Sequence, residues 1–215
     1  GKLAFDHQNK LFLSVGDRGN RHYAQGLDNH LGKILRLNRD GSIPKDNPFI
    51  DNPNILSEIW SYGHRNPQGL VYDHKSDQLW STEHGPKGGD ELNLIRPGVN
   101  YGWPDISWGR EYSGAYLAPT HKNGHAQPQI YWTPSIAPSC LALDYHNNQT
   151  YLFAGALKYR QLRRIKIMDE RPYSQQILLD RSIGRIRDVR IFNQQMWVAE
   201  DHRKAGLYQV ENYLL

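Results

Sequence analysis

Cysteine is almost absent from this chain: Cys140 is the only one among 215 residues. No disulfide can therefore close within it, and the redox compartment is left open. At the start of a strand pattern, Cys140 is expected to be a small buried residue and not a reactive thiol. Long apolar runs are missing as well. None approaches the ~20 residues of a membrane-crossing helix, so no membrane span is expected. Gly1-Lys2-Leu3 enters a strand pattern at once. The expectation is that the chain starts inside a larger protein. The ten histidines include no pair spaced as His-Glu-x-x-His, which argues against zinc. Ser135 and Ser139 lack the context of a nucleophile elbow, and Gly85-Pro86-Lys87-Gly88-Gly89 is not a Walker loop. The net charge is +4, but its basic residues are scattered apart from the run Arg160 to Lys166. With no accompanying recognition motif, no nucleic-acid partner is expected.

What is abundant is turn and strand chemistry. Nineteen Gly, twelve Pro, six Trp and thirteen Tyr favour an all-β chain rich in turns. A phrase of two strands and a polar turn recurs four times. It runs Leu3-Ala4-Phe5-Asp6 with Leu11 to Gly16, Leu70-Val71-Tyr72-Asp73 with Leu79 to Thr82, and Leu141-Ala142-Leu143-Asp144 with Tyr151 to Ala154. The shorter fourth copy is Val189 to Phe192 with Met196 to Ala199. Further strand candidates follow at 33–37, 91–95, 163–167 and 206–210. Short strands repeating at the spacing of a four-stranded blade predict a β-propeller. A β-sandwich is the competing architecture, but it requires no repeated phrase. Four blades fit best as about two-thirds of a six-bladed propeller, the C-terminal part of a longer chain. Residues 1–215 read as one such domain. Segments 39–57 and 103–138 are expected to be loop excursions whose length suggests function.

The repeat sorts the unusual residues. His64-Arg65-Asn66 precedes one inner strand, and Arg185 and Arg187 precede another. His84-Gly85-Pro86 and Leu157-Lys158 follow second strands. In a propeller such loops can lie near the central channel. Arg65, Lys158, Arg185 and Arg187 are then expected around one mouth, where like charges call for an anionic partner. The glycines at 85, 88 and 89 let the backbone approach a ligand closely. Carbonyl oxygens beside Asp90 and Glu91 suit a hard cation such as Ca²⁺. Asp17-Arg18-Gly19-Asn20 is a further polar turn leaving a second strand.

Several longer motifs carry a family resemblance. Val15-Gly-Asp-Arg-Gly, His30-Leu-Gly-Lys-Ile-Leu-Arg-Leu-Asn, Gly63-His-Arg-Asn-Pro-Gln-Gly and Glu83-His-Gly-Pro-Lys-Gly-Gly-Asp-Glu occur in order. They are followed by Asn100-Tyr-Gly-Trp-Pro, Pro134-Ser-Ile-Ala-Pro-Ser and Arg187-Asp-Val-Arg. The chain thereby resembles the soluble aldose sugar dehydrogenases of the glucose/sorbosone dehydrogenase family. That resemblance implies a six-bladed propeller using pyrroloquinoline quinone (PQQ) and Ca²⁺. It implies oxidation of an aldose at C1 to the lactone, with electrons passed to an external acceptor, and a periplasmic or secreted bacterial location. Arg65 and Asn66 would contact the quinone, with Arg65 placed to polarise its carbonyl. Lys158, Arg185 and Arg187 would bind the PQQ carboxylates. The carbonyls of Gly85 and Pro86 would hold the Ca²⁺ that chelates PQQ. Glu91 and Tyr101 resemble ligands of a second, structural Ca²⁺, and Trp132 resembles a wall of the sugar pocket.

Two departures accompany the resemblance. The family's general base is a histidine in a motif whose tail resembles Gly1-Lys2-Leu3, so it is expected two or three residues before Gly1. None of the ten histidines present fits that motif, and little dehydrogenase activity is expected of this polypeptide alone. Gly26 stands where relatives often carry an acid. Two other classes remain open: a non-catalytic propeller binding protein or glycan, and a Ca²⁺-dependent propeller lactonase, which would need carboxylates and Asn converging on a central metal.

Overall fold

The computed structural model describes residues 1–214, which divide into two compact units, one of residues 1–135 and the other from Ile136 onward. The first unit holds two four-stranded antiparallel sheets. One is β1 (Leu3–Phe5), β2 (Leu11–Val15), β3 (Lys33–Leu37) and β4 (Ile59–Tyr62). The other is β5 (Pro67–Asp73), β6 (Gln78–Glu83), β7 (Asp90–Ile95) and β8 (Ile130–Trp132). The second unit holds β9 (Pro138–His146), β10 (Gln149–Ala156), β11 (Gln161–Met168) and β12 (Arg171–Asp180). Its other sheet is β13 (Ile186–Phe192), β14 (Gln195–Glu200) and β15 (Leu207–Val210). Within each sheet every strand pairs with its neighbour in sequence, the meander expected of propeller blades.

Each repeated phrase forms the first two strands of a sheet, and each following candidate forms the third. The fourth strands β4, β8 and β12 are not marked by the repeat. β8 lies inside the segment expected to be a loop excursion, because three residues between long irregular stretches carry too little alternation to read. Segment 39–57 contains no strand. Asn47 pins it from within, its amide donating to the carbonyls of Arg36 and Ser57 at 2.9 Å each.

Turn chemistry explains the hairpins. Asp6 directly follows β1 and Asp73 ends the equivalent β5, and each carboxylate accepts amides from the turn, from Gln8 and Lys10 in one case and from Lys75 in the other. In the second unit, the pairs Asn147-Asn148, Asp169-Glu170 and Asn193-Gln194 all adopt positive φ. Each pair joins adjacent strands as a two-residue turn whose twist matches that of the strands.

All six residues of β6 are buried. It lies between β5 and β7 with both faces covered, so it shows no polar alternation. β12, at a sheet edge, is largely exposed. The first unit buries Phe12, Ile34, Leu70, Leu79, Ile95 and Tyr101 together. The second packs Phe153, Leu162, Ile186, Val189, Met196 and Val198 around Cys140, which is fully buried as expected. Lys33 is also fully buried. Its ammonium donates to the carbonyls of Tyr23, Ala24 and Leu31 at 2.9, 3.1 and 2.6 Å, which ties down the loop between β2 and β3. Burial lowers its pKa to about 8. Among the described residues, no helix is long and apolar enough to cross a membrane.

Candidate functional site

The first unit contains a cavity of about 410 Å³ lined in part by Asp17, Arg21, Arg65, Asn66, Pro86 and Trp103. That volume falls within the usual range for small-molecule sites, about 300–1,000 Å³. Arg65 and Asn66 occupy the turn between β4 and β5. The turn depends on Gly63, whose φ is +75° and where a Cβ would come within 2.6 Å of the Gly102 amide. The Arg65 guanidinium is held from several sides. Nη1 donates to the carbonyls of His84 and Gly85 at 3.1 and 3.0 Å, and Nη2 donates to the Tyr112 hydroxyl at 3.0 Å. Its carbon lies 5.3 Å from the centre of the Trp103 ring. Asn66 accepts the His84 amide through its own carbonyl, while its side chain accepts from Gln68 at 2.9 Å.

Trp103 organises the rest of the wall. Its indole N–H donates to Asp17 Oδ2 at 2.8 Å. Arg21 lies 5.4 Å from its ring centre and makes a two-pronged ion pair with Glu111 at 2.6 and 3.1 Å. Asp17 donates its amide to the Arg65 carbonyl at 2.8 Å, joining the β2 turn to the Arg65 turn. Thus the polar turn at 17–20 does reach the same cavity as Arg65.

Beneath Arg65 lies a buried polar network. Glu83 accepts the Arg65 amide at 2.7 Å, His64 Nδ1 at 3.1 Å and the Asn93 amide nitrogen at 3.1 Å. His64 Nε2 lies 2.8 Å from Ser61 Oγ, and the ring stacks on Tyr101 at 4.8 Å. Burial would push the Glu83 carboxyl up, but His64 and the surrounding donors hold it below its ordinary value. Glu91 is the reverse case. Burial, with the carboxylates of Glu83 and Asp90 nearby, pushes its pKa up to about 8. Glu91 and Tyr101 border one small cavity of about 20 Å³ together with Glu83 and Gly85, enough for a water or an ion. The Tyr101 hydroxyl is already engaged, donating to the Leu94 carbonyl at 2.6 Å and accepting the Arg96 amide.

The turn from Gly85 to Gly89 is held by Asp90, whose Oδ1 accepts the Gly85 amide at 2.9 Å and whose Oδ2 accepts Ser135 Oγ at 2.8 Å. A Cβ on Gly85 would come within 2.5 Å of the Gly89 carbonyl oxygen and closer still to that of Gly88. Carbonyl oxygens are therefore crowded around Gly85 in a cradle only glycine permits. Among the described residues, no group of three or more His, Cys, Asp or Glu is placed to hold a metal.

Trp132 is buried on β8, paired in register with Asp90, and its carbonyl accepts the Gly89 amide at 2.9 Å. It does not line the Arg65 cavity, where Trp103 and Tyr112 are the aromatic residues. The second unit carries the other three cations, all exposed. Arg185 and Arg187 share one carboxylate, Asp201 Oδ2, at 3.2 and 2.9 Å. The Lys158 ammonium lies 5.2 Å from the Tyr159 ring centre, while its amide donates to the Ile136 carbonyl.

Sequence reasoning missed Arg21, Glu111, Tyr112, Glu83 and Asp201. Tyr112 and Glu111 fall in the long excursion already marked by its length. Nothing in their spacing says which arginine each meets. Glu83 and Trp103 stand within recognised motifs that give them no role of their own.

Comparison with known proteins agrees with the geometry. The Glucose / Sorbosone dehydrogenase family model matches residues 1–209. The aldose sugar dehydrogenase YliI of Escherichia coli is 43% identical over 88% of this chain and 53% of its own length. A crystal structure of a glucose dehydrogenase superposes with a TM-score of 0.93 at 40% identity, covering 98% of this chain and 63% of that one. The PQQ-bound aldose sugar dehydrogenase of Streptomyces coelicolor superposes at 0.79 with 29% identity, covering 97% of this chain and 60% of that one. The chain thus spans about half the length of the curated relative and about three-fifths of the solved structures, and its sheets are blades of an all-β propeller. It belongs to the glucose/sorbosone dehydrogenase family.

Proposed function

We propose that this chain forms part of a PQQ- and Ca²⁺-dependent dehydrogenase that oxidises aldoses at C1 to lactones and passes the electrons to an external acceptor. The observation that carries the reading is the presentation of Arg65 at the wall of a cavity rich in arginine, beside a turn of crowded carbonyls. The chemistry of the side chains and carbonyls present supports both groups. Carbonyl oxygens turned toward a cation suit Ca²⁺, and the Gly85 carbonyl already faces the Arg65 guanidinium at 3.0 Å. When bound, PQQ supplies the two-electron oxidant and Ca²⁺ makes its quinone more electrophilic.

In this reading the Gly85 and Pro86 carbonyls hold Ca²⁺, and Arg65 and Asn66 present hydrogen-bond donors to the quinone. Trp103 keeps the Arg65 guanidinium against its ring, so little side-chain freedom is lost when a ligand binds. Lys158, Arg185 and Arg187 bind carboxylates, the two arginines exchanging Asp201 for the ligand. Glu91 and Tyr101 border a second Ca²⁺ site, and Trp132 backs the sugar pocket. Residues 1–215 belong to one propeller domain, and a periplasmic or secreted location belongs to the same reading.

The proton of the C1 hydroxyl needs a base, and among the described residues no histidine lines the 410 Å³ cavity. His64 is buried and engaged by Glu83 and Ser61. The polypeptide supplied with PQQ, Ca²⁺, an aldose and a reducible dye is expected to take up PQQ yet reduce dye near the blank rate. Robust turnover would overturn the assignment of the base to a histidine outside these residues. Absence of PQQ uptake would overturn the proposed function.

A further inference from the structure

His64 and Glu83 stand in the two most recognisable motifs of the chain, yet the proposed chemistry uses neither. Both are buried, at 0% and 4% exposure. Burial of such groups is costly unless their hydrogen bonds are made, so two buried ionisable groups that hydrogen-bond each other call for a role. The network has a definite direction. Ser61 Oγ and the Tyr101 ring fix the His64 imidazole. His64 and Asn93 converge on Glu83 Oε1, which leaves Oε2 aimed at the Arg65 amide at 2.7 Å. The residues just after Glu83 then receive the other end of the same arginine, with the His84 and Gly85 carbonyls taking Nη1. Arg65 is thus gripped at its main chain by the Glu83 carboxylate and at its guanidinium by the next two carbonyls.

We propose that His64 and Glu83 are positioning residues that set where the Arg65 guanidinium points, through this two-ended grip on segment 83–85. The inference rests on the PQQ reading for its consequence but not for its geometry. Three donors converge on the two oxygens of Glu83. Glutamine in its place offers one oxygen and an NH₂ group, so at least one donor faces another donor. Alanine removes the grip on the main chain entirely.

Two measurements on the full chain test this, with circular dichroism confirming that each variant is folded. The first needs no cofactor. In Glu83→Ala, and less strongly in Glu83→Gln, hydrogen exchange at the Arg65 amide is expected to quicken at least tenfold while amides of the second unit are unchanged. Unchanged exchange at Arg65 in both variants would overturn the proposal, whatever PQQ does. The second is a double-mutant cycle on PQQ affinity with Glu83→Gln and Arg65→Ala. A hydrogen bond to a charged group contributes about 1.5–3 kcal/mol, so Glu83→Gln is expected to weaken PQQ roughly 10- to 100-fold in the parent. It should have no further effect once Arg65 is alanine, since coupled sites are not additive. Equal losses in both backgrounds would overturn positioning through Arg65 while leaving the cofactor assignment standing. Failure of the parent to bind PQQ would overturn the cofactor assignment, and the exchange measurement would still decide the grip. His64→Gln should reproduce the exchange effect in weaker form, and its failure to do so would remove His64 from the proposal.

Discussion

Replacing Lys33 by methionine probes how the loop that carries Asp17 and Arg21 is held. The ammonium is fully buried and donates to three carbonyls. Burial lowers its pKa from 10.5 to about 8. At 1.36 kcal/mol per unit, the charged form costs the fold about 3 kcal/mol relative to the neutral amine. Against that stands the loss of its hydrogen bonds. The Ala24 carbonyl keeps the Gly63 amide and the Tyr23 carbonyl keeps Asn29. The principal loss is therefore at Leu31, about 1–3 kcal/mol for a buried carbonyl losing its donor. The two effects nearly cancel, so Lys33→Met should change stability at pH 7 by only about 1 kcal/mol. Because the folded pKa is depressed, the unfolded chain binds more protons between pH 8 and 10.5. Stability of the parent should therefore rise with pH through that window, relative to Lys33→Met, by about 3 kcal/mol. Urea denaturation of both proteins across that window and down to neutral pH reads this difference, and titrations common to both cancel. A difference that stays flat would refute the reasoning.

Other consequences follow from the same contacts. Trp103→Leu removes the ring beneath Arg21 and Arg65 and the donor on Asp17. It should cost about 2–4 kcal/mol and weaken PQQ, read by thermal unfolding and absorbance titration; unaltered PQQ affinity would contradict the role given to the ring. Asp201→Asn removes the carboxylate shared by Arg185 and Arg187. It should tighten binding of a polycarboxylate to the second unit, most at low ionic strength, and salt-independent affinity would argue against the arginines as anion receptors.

Much of the fold could be read because blades repeat. Leu3, Leu70, Leu141 and Val189 each begin the same phrase, and each falls on the first strand of its sheet. β8 and β12 escaped because an edge strand needs neither a continuous apolar run nor strict alternation. Within the site, Arg65 and the glycine turn announced themselves by composition, since a turn that tolerates only glycine leaves a visible trace. Trp103 and Tyr112 did not, because what makes them part of the cavity is the path of a long irregular segment. No local periodicity encodes that path. Strand alternation on β8 accounts for the neighbouring aromatics, burying Trp132 and leaving Tyr131 exposed.

The central claim is that Arg65 and the Gly85 turn form a PQQ and Ca²⁺ cradle. It is tested most directly by titrating PQQ into the chain and following its absorbance, with Ca²⁺ and with EDTA, for the parent and for Arg65→Ala. The account predicts saturable binding by the parent that weakens in EDTA and falls by at least about 100-fold in Arg65→Ala, the loss of two charge-assisted hydrogen bonds at about 1.5–3 kcal/mol each. Binding indifferent to both EDTA and Arg65, or no binding at all, would contradict it.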